Sequence, residues 1–535
     1  MATLTVYGGI NEIGGNKILL EDGGHALLLD FGFPYKRHKL FYEEYLKPRS
    51  GAGLLDPLTM GLLPLLRGIY RADLDAPELW KGLASHPLLR SVDQLDGLLL
   101  THAHLDHSGH ISFLREDVPV YATAATAFIA KAIQDSGKSD FDQQVCYFNP
   151  VAVDCPDGWK QTAFLTGKEA QQQRRFCIAD RDPAKLSGEA LRFWSAGFWE
   201  RTRRQKELAS VPLAGYAGCP LNIRCFPVDH SIPGACAWAV ETASGWVVYS
   251  GDLRFHGQRA EQTERFVAEA AALKPKVLVL EGTNVGRAAN VSEQTVYETA
   301  LKAISPAKGL VIADFSARDV HRLLAFHRIA QETKRRLAIL PKDAYLLKTM
   351  RLLNKTIPDV PADPSIVVYQ DTVAGKYPGI WMRNLFQECE HNTVLASDVH
   401  AAQDQFILCF SFFDLNELPS IAPAPGGLYV YSSSEPHDEE QEIDFRRLHN
   451  WLDRFELKGF GLPTPVDGMW YIPEAERGLH ASGHACGPDL VRIAKTIRPE
   501  VLVPVHSENP GFYVEQLRGT GIKVVLPVAG SPIAV

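Results

Sequence analysis

The sequence contains no apolar run approaching the roughly 18 residues that a membrane-spanning helix requires, so no transmembrane segment is expected. Its N-terminus lacks a basic stretch followed by an apolar one. Met1-Ala2-Thr3-Leu4-Thr5-Val6-Tyr7 reads directly into a β-strand, and no secretory signal is expected. Cysteine is sparse and unpaired in pattern: nine residues are scattered from Cys146 to Cys486, with no CxxC. That excludes a disulfide framework and a Cys-rich zinc module, and sets the expectation of a reducing, cytoplasmic environment. An excess of positive charge is also missing. Lys and Arg number 55 against 63 Asp and Glu, a net charge of −8, so the whole chain is not a basic nucleic-acid binder. Bound metal supplies local positive charge that such a count omits. No internal repeat or low-complexity tract is present.

What remains is an ordinary globular composition: 535 residues, 46% hydrophobic and 22% charged. The length predicts two to four domains. Short apolar runs alternate with helical patterns, an α/β signature. Several runs lead to an acid or a histidine. Ala26–Leu29 ends at Asp30, Leu98–Thr101 at His102, and Val277–Leu280 at Glu281. Trp246–Tyr249 reaches Asp252 through Ser250-Gly251, and Val501–Val505 ends at His506. Chemistry-bearing residues at the ends of five strands predict a site assembled along one rim of a sheet. From about Ala288 to Met469 the texture changes. Apolar strands at Leu310–Ala313, Leu337–Leu340, Ile366–Tyr369, Phe406–Phe410 and Leu428–Tyr431 alternate with longer helical stretches. This predicts a second α/β domain with a mainly parallel sheet, inserted into the first, because His480, His484 and His506 resume the earlier pattern after it. The expected boundaries are 1–287, 288–469 and 470–535.

The strongest local signal is Thr101-His102-Ala103-His104-Leu105-Asp106-His107. Four metal-ligating side chains fall within six residues directly after a strand. His102 and His104 alternate across an alanine and share one side of a tight loop; Asp106 and His107 reach a neighbouring point. One loop cannot fill two coordination spheres of N and O ligands. Further ligands are expected at His230 in Val228-Asp229-His230-Ser231, Asp252 in Ser250-Gly251-Asp252, and His506 in Pro504-Val505-His506-Ser507.

Taken in this order, these residues resemble the metallo-β-lactamase superfamily. Further motifs resemble its β-CASP branch of the RNase J type: Gly8-Gly9-Ile10-Asn11-Glu12-Ile13-Gly14-Gly15-Asn16, Val228-Asp229-His230-Ser231-Ile232-Pro233, Glu281-Gly282-Thr283-Asn284 and His480-Ala481-Ser482-Gly483-His484-Ala485. The resemblance spans roughly 1–37, 95–160, 215–340 and 425–535. It implies an αββα sandwich with an inserted β-CASP α/β domain. It also implies two zinc ions per chain, with Mn2+ or Mg2+ as alternatives. One ion would take His102, His104 and His230; the other would take Asp106, His107 and His506, with Asp252 bridging. Asp30 would orient the His-rich loop. Glu281 would hydrogen-bond His484, and His484 would contact the scissile phosphate or protonate the leaving oxygen. Asp106, Asp252, Glu281 and His484 are thus the expected catalytic residues.

The function implied is hydrolysis of single-stranded RNA, 5′→3′ from a 5′-monophosphate end with some internal cleavage. In this branch the RNA-acting members carry a histidine where His506 stands. The alternatives are a DNA-directed nuclease of the same fold, a nucleic-acid-binding scaffold without activity, and a small-molecule hydrolase. A phosphate pocket beside the metals is expected from His480, Ser482, Ser432, Ser433 and Ser316, since hydroxyls and helix N-terminal amides suit phosphate. The acidic run Glu435–Glu440 reads as a first helical turn. His110, His321, His327 and His449 read as structural. Residues 38–94 and 168–208 read as insertions that shape the nucleic-acid channel or bind a protein partner or a second copy. The latter interleaves Arg192, Phe193, Trp194, Phe198, Trp199, Arg201, Arg203 and Arg204 with a local charge of +4. This reads either as a partly buried amphipathic helix or as a nucleic-acid contact.

Overall fold

The computed structural model describes residues 2–43, 45–75, 77–137, 141–154, 163–166, 169–196, 207–316, 318–371, 379–433, 439–466 and 469–535. Two sheets face each other. The first has eight strands in the order Ala214–Gly215, Phe176–Ile178, Val120–Ala122, Gly97–Leu99, His25–Phe31, Lys17–Asp22, Thr3–Gly8, Pro532–Ala534. The second has six, in the order Asn222–Pro227, Cys236–Thr242, Gly245–Tyr249, Val277–Leu280, Val501–Pro504, Lys523–Val524. Alternation explains the sandwich. Leu4, Val6, Ile18, Leu20, Leu27 and Leu29 point inward from the first sheet and meet Trp238, Val240, Val247, Tyr249, Val277 and Val279 from the second. The odd members of the alternation face outward. From the second sheet, Ala237, Val248, Leu278 and Leu502 pack on the helices Ala260–Ala272 and Gly487–Ile497 through Phe266, Leu490 and Ile493.

The outer face of the first sheet is covered by the helix Ala124–Ser136 and by residues 54–95. The leucine-rich insertion therefore fills a helical layer. Leu54, Leu58, Leu63, Leu66 and Ile69 are buried there, on short helices and a small parallel pair, Leu66–Arg67 with Arg90–Ser91. Truncating any of these leucines to alanine is worth roughly 2–5 kcal/mol.

A third sheet has seven strands, all parallel, in the order Thr393–Val394, Ile366–Tyr369, Arg336–Ile339, Phe406–Cys409, Val311–Asp314, Leu428–Tyr431, Lys458–Phe460. The runs Ile366–Tyr369 and Leu428–Tyr431 sit as the sequence predicts, and both faces of the sheet are covered, as continuous apolar strands require. The chain leaves the sandwich after Val277–Leu280 and returns into Gly487–Ile497. An isolated bridge between Asn284 and Cys486 pins exit and return to one point. The chain has an αββα sandwich carrying an inserted α/β unit. Among the described residues no helix is long and apolar enough to cross a membrane.

Candidate metal centre

The rim where His25–Phe31, Gly97–Leu99, Gly245–Tyr249, Val277–Leu280 and Val501–Pro504 end carries the site. Asp30 is fully buried beneath it and holds the loop that follows Gly97–Leu99. Its carboxylate accepts from Thr101 N at 2.8 Å, Thr101 Oγ1 at 2.8 Å, Tyr249 Oη at 2.7 Å and His107 Nδ1 at 2.7 Å. Asn16 Nδ2 donates to Tyr249 Oη at 2.8 Å and closes this network. Asp30 and His506 both adopt φ 53°, a left-handed conformation that side chains other than glycine rarely take. The glycine-rich opening loop lies over Asp106. Gly15 N donates to Asp106 O at 2.9 Å, and a Cβ on Gly14, at φ 80°, would stand 2.7 Å from Asp106 Cβ. A larger residue at Gly14 has no room.

All seven expected ligands come together. One cluster joins His102, His104 and His230, and another joins Asp106, His107, Asp252 and His506. His104 Nδ1 lies 3.0 Å from His102 Nε2 and 3.2 Å from His230 Nε2. Donors around tetrahedral zinc at about 2.0–2.1 Å stand about 3.3 Å apart, so this trio has the right spacing. Asp252 Oδ2 lies between the clusters, 3.0 Å from His107 Nε2 and 3.7 Å from both His102 Nε2 and His506 Nε2. Asp252 Oδ1 is buried with no hydrogen-bond partner, the state of an atom that can hold a cation.

The outward nitrogens confirm the orientation. His107 Nδ1 donates to Asp30, His230 Nδ1 to Gly483 O at 2.6 Å, and His506 Nδ1 to Thr283 Oγ1 at 2.8 Å. Each bond fixes the tautomer that leaves the opposite lone pair facing the cluster. Burial pushes His102 and His230 well below the usual histidine range and His104 down to about 4, so these rings are neutral. Burial presses Asp106 and Asp252 upward, but their imidazole neighbours, His107 and His506, prevail and hold both carboxylates ionised. The donor set, three neutral imidazoles beside two imidazoles and two carboxylates, fits divalent metal.

His484 stands against this cluster on the inserted unit's side, its Nδ1 2.8 Å from Glu281 Oε2. Glu281 is buried and fixed by Leu253 N at 2.9 Å. Burial lowers His484, but Glu281 and Asp252 outweigh it and raise the ring to about 9.

The loop carrying His480, Ser482 and His484 is held by residues the sequence reading overlooked. Arg254 donates to Ser482 O at 3.2 Å and to Glu293 at 2.8 Å. Arg322 donates to Glu293 at 3.2 Å, to Ser432 O at 2.5 Å and Ser432 Oγ at 2.6 Å, and to Leu479 O at 3.4 Å. Burial pushes Glu293 upward, but Arg322 and Arg254 overcome it and hold the carboxyl down to about 2. Arg254 stands two residues after Asp252, and that adjacency was the available signal.

Two expected phosphate residues need correcting. Ser432 is buried, its hydroxyl bonded to Leu479 O and Arg322, so it belongs to the scaffold and not to an open pocket. Ser316 does not open a helix: Val320–Glu332 begins later and is capped by the Asp319 side chain. Ser316 and Ser433 instead line a cavity of about 440 Å³ with Phe413 and Tyr431. His480 Nδ1 donates to Ser433 O at 2.6 Å, and Ser482 Oγ accepts from Asn284 Nδ2 at 2.6 Å. His110, His321 and His327 are buried, and His449 donates to Pro463 O. In the second insertion, Gly188–Ser195 is an amphipathic helix with Trp194 buried and Phe193 stacked on Phe128. Phe198, Trp199, Arg201, Arg203 and Arg204 lie outside the described residues, as do Glu435–Asp438 of the acidic run.

Residues 473–527 match the family model of the Zn-dependent metallo-hydrolase RNA specificity domain. Over 94% of its length the chain is 22% identical to Ribonuclease J of Mycobacterium tuberculosis, covering 68% of that protein. It is 21% identical to Ribonuclease J of Corynebacterium glutamicum over the same share, covering 54% of it. A crystal structure of a protein of unknown function from Enterococcus faecalis superposes over both whole chains with a TM-score of 0.61 at 20% identity, a likeness of fold. With the sandwich, the inserted parallel unit and the matched C-terminal segment together, the chain is similar to Ribonuclease J, of the β-CASP branch of the metallo-β-lactamase superfamily, across 94% of its length.

Proposed function

We propose that the chain is a two-zinc ribonuclease that hydrolyses single-stranded RNA in the cytoplasm, with the β-CASP unit at 288–469 and the sandwich formed by 1–287 and 470–535. The observation that carries this reading is the pair of adjacent donor clusters, with Asp252 of the second reaching to 3.7 Å from His102 of the first, and His484 and Glu281 beside them. His102, His104 and His230 would hold one metal, and Asp106, His107 and His506 the other, with Asp252 between. When bound, such a pair supplies Lewis acidity that activates water at neutral pH and polarises the phosphoryl group.

The chain's own residues do the rest. Asp30, Gly483 O and Thr283 aim the imidazoles. Glu281 orients His484 so that Nε2 faces the reacting phosphate, where it donates a hydrogen bond and then a proton to the leaving oxygen. The carboxylate favours the protonated ring that this transfer needs. His480, Ser482 and Ser433 form the near wall of a pocket for a terminal 5′-phosphate, held in register by Arg254 and Arg322.

The test uses zinc-loaded protein and 3′-labelled single-stranded RNA, with 5′-monophosphate and 5′-hydroxyl ends, and DNA of the same sequence. A ladder on 5′-monophosphate RNA supports the exonuclease reading. Internal cuts indifferent to the 5′ end support an endonuclease, and cleavage of DNA alone moves the assignment to a DNA nuclease. No cleavage of either polymer with zinc bound supports a scaffold.

A further inference from the structure

The loop that carries His484 is gripped by its carbonyls. Ser482 O accepts from His256 Nε2 at 2.8 Å and from Arg254 at 3.2 Å. Gly483 O accepts from His230 Nδ1 at 2.6 Å. His484 O accepts from Asn284 Nδ2 at 3.4 Å and from Asn290 Nδ2 at 3.3 Å. The amides of the same loop are used unevenly. His484 N donates to Ser482 Oγ at 3.1 Å, and Ala485 N donates to Leu253 O at 2.7 Å. Among the described residues Gly483 N finds no acceptor.

A trans peptide unit is planar, and its N–H points opposite to its C=O. The unit joining Ser482 to Gly483 has its oxygen held by His256 and Arg254, so its N–H is aimed away from them. Gly483 itself lies against the first donor cluster: a Cβ there would stand 2.9 Å from His230 Cε1. The His484 ring packs 5.1 Å from that of His230. A free backbone donor therefore stands beside both the cluster and the expected proton donor.

Arg254 is shared with Asp229 and Glu293. The His256 ring is given to Ser482 O alone, since its Nδ1 is buried with no hydrogen-bond partner. Burial lowers this histidine to about 4, so the ring is neutral and its one proton lies on Nε2. Its backbone is fixed on both sides. His256 O accepts from Glu293 N at 3.1 Å, and a Cβ on Gly257 would stand 2.3 Å from Asp229 Oδ2.

We propose that Gly483 N–H donates to a non-bridging oxygen of the scissile phosphate, and that His256 is the positioning residue that aims it through Ser482 O. This rests on the ribonuclease reading above. The non-bridging oxygens carry negative charge in the transition state, and a backbone donor already set in place stabilises it without reorganisation. Because the donor and His484 are adjacent residues of one loop, His256 sets both relative to the same phosphate.

The test compares zinc-loaded wild type, His256→Gln and His256→Leu. Glutamine offers an Nε2 donor to Ser482 O; leucine fills similar space and offers none. If His256→Leu does not fold, His256→Asn, whose amide is one bond shorter, takes its place. The readouts are kcat and KM for RNA with 5′-monophosphate and 5′-hydroxyl ends, kcat for bis(p-nitrophenyl) phosphate, zinc content and the unfolding midpoint. In His256→Leu kcat is expected to fall about tenfold or more on both RNA ends and on the small diester, with KM and zinc content within about twofold. His256→Gln is expected to stay within about threefold of wild type. Unchanged kcat in His256→Leu overturns the proposal. So do equal losses in His256→Gln and His256→Leu that follow the midpoint, which make His256 a brace only. Loss of zinc overturns it by placing the effect on His230, and a loss confined to 5′-monophosphate RNA does so by moving the donor to the terminal phosphate. Wild type that hydrolyses the small diester but no RNA removes the ribonuclease reading, while the variants on the small diester still decide the donor. Wild type that hydrolyses neither removes both.

Discussion

His484 Nδ1 and Glu281 Oε2 lie 2.8 Å apart, across 203 residues of sequence and across the junction of the sandwich with its inserted unit. Glu281 ends a central strand of the second sheet, and Tyr513 Oη donates to its backbone carbonyl. The pair therefore places a movable proton on a rigid support next to the donor clusters. His484→Ala is expected to slow RNA cleavage by about 10²–10⁴-fold, the usual worth of general acid catalysis, while zinc content stays at the wild-type value. Glu281→Gln keeps the hydrogen bond and removes the charge, and its loss is expected to be smaller. Kinetics beside metal analysis by mass spectrometry check both. Loss of one metal equivalent in His484→Ala makes His484 a ligand.

Asp30 accepts from four donors that belong to the His-rich loop and the facing sheet. Its replacement by alanine leaves every ligand present and frees their orientation. Zinc affinity is expected to fall about 10–100-fold, as for other groups that support metal-bound imidazoles. Chelator competition measures this directly, and an unchanged zinc Kd contradicts the orienting role.

Glu293 sits between Arg254 and Arg322 and joins the sandwich to the inserted unit. Removing one partner of a buried ion network leaves uncompensated charge, at a cost of about 3–5 kcal/mol. Glu293→Gln is expected to lower the unfolding midpoint by several degrees. Because Arg322 also holds Ser432 and Leu479 O, the 5′-monophosphate preference, measured as a ratio of rates on two ends, is expected to fall with it. A lowered midpoint with an intact ratio separates the brace from the pocket.

Burial pushes Asp314 up to about 7. In the fold the group is neutral below about pH 7 and ionises above it, whereas it ionises near 3.9 when unfolded. Its linkage therefore favours the fold below about pH 3.9 and is lost as pH rises toward 7. Asp314→Asn removes this dependence. It is expected to stabilise the protein more at pH 7.5 than at pH 5, by roughly 2–3 kcal/mol, in urea unfolding at the two pH values. An equal effect at both values contradicts a buried acid that ionises near 7 in the fold.

The cluster of donor side chains was legible in the sequence because its members lie at strand ends or in one tight loop, where local spacing carries the geometry. His102, His104, Asp106 and His107 need no tertiary knowledge to be grouped. The seven-stranded sheet was legible in its five central strands, since both faces are buried and each is a continuous apolar run. Its edge strands, Thr393–Val394 and Lys458–Phe460, are two and three residues long and carry no such signal. The phosphate residues were read least well. Ser432 is a serine after a strand in either case; only the approach of Arg322, 110 residues away, makes it part of the scaffold. Helix starts depend equally on one side chain, and Asp319 rather than Ser316 supplies the cap.

The most direct measurement pairs the zinc content of wild type and Asp106→Ala with their cleavage of 5′-monophosphorylated, 3′-labelled single-stranded RNA. Asp106 belongs to the cluster with His107, Asp252 and His506, and its carboxylate contacts His506 Nε2 at 3.2 Å. The expected result is two zinc ions and a shortening ladder for wild type, and a folded Asp106→Ala protein with less zinc and no ladder. Unchanged cleavage by a folded Asp106→Ala protein would contradict the assignment of this cluster as the catalytic centre.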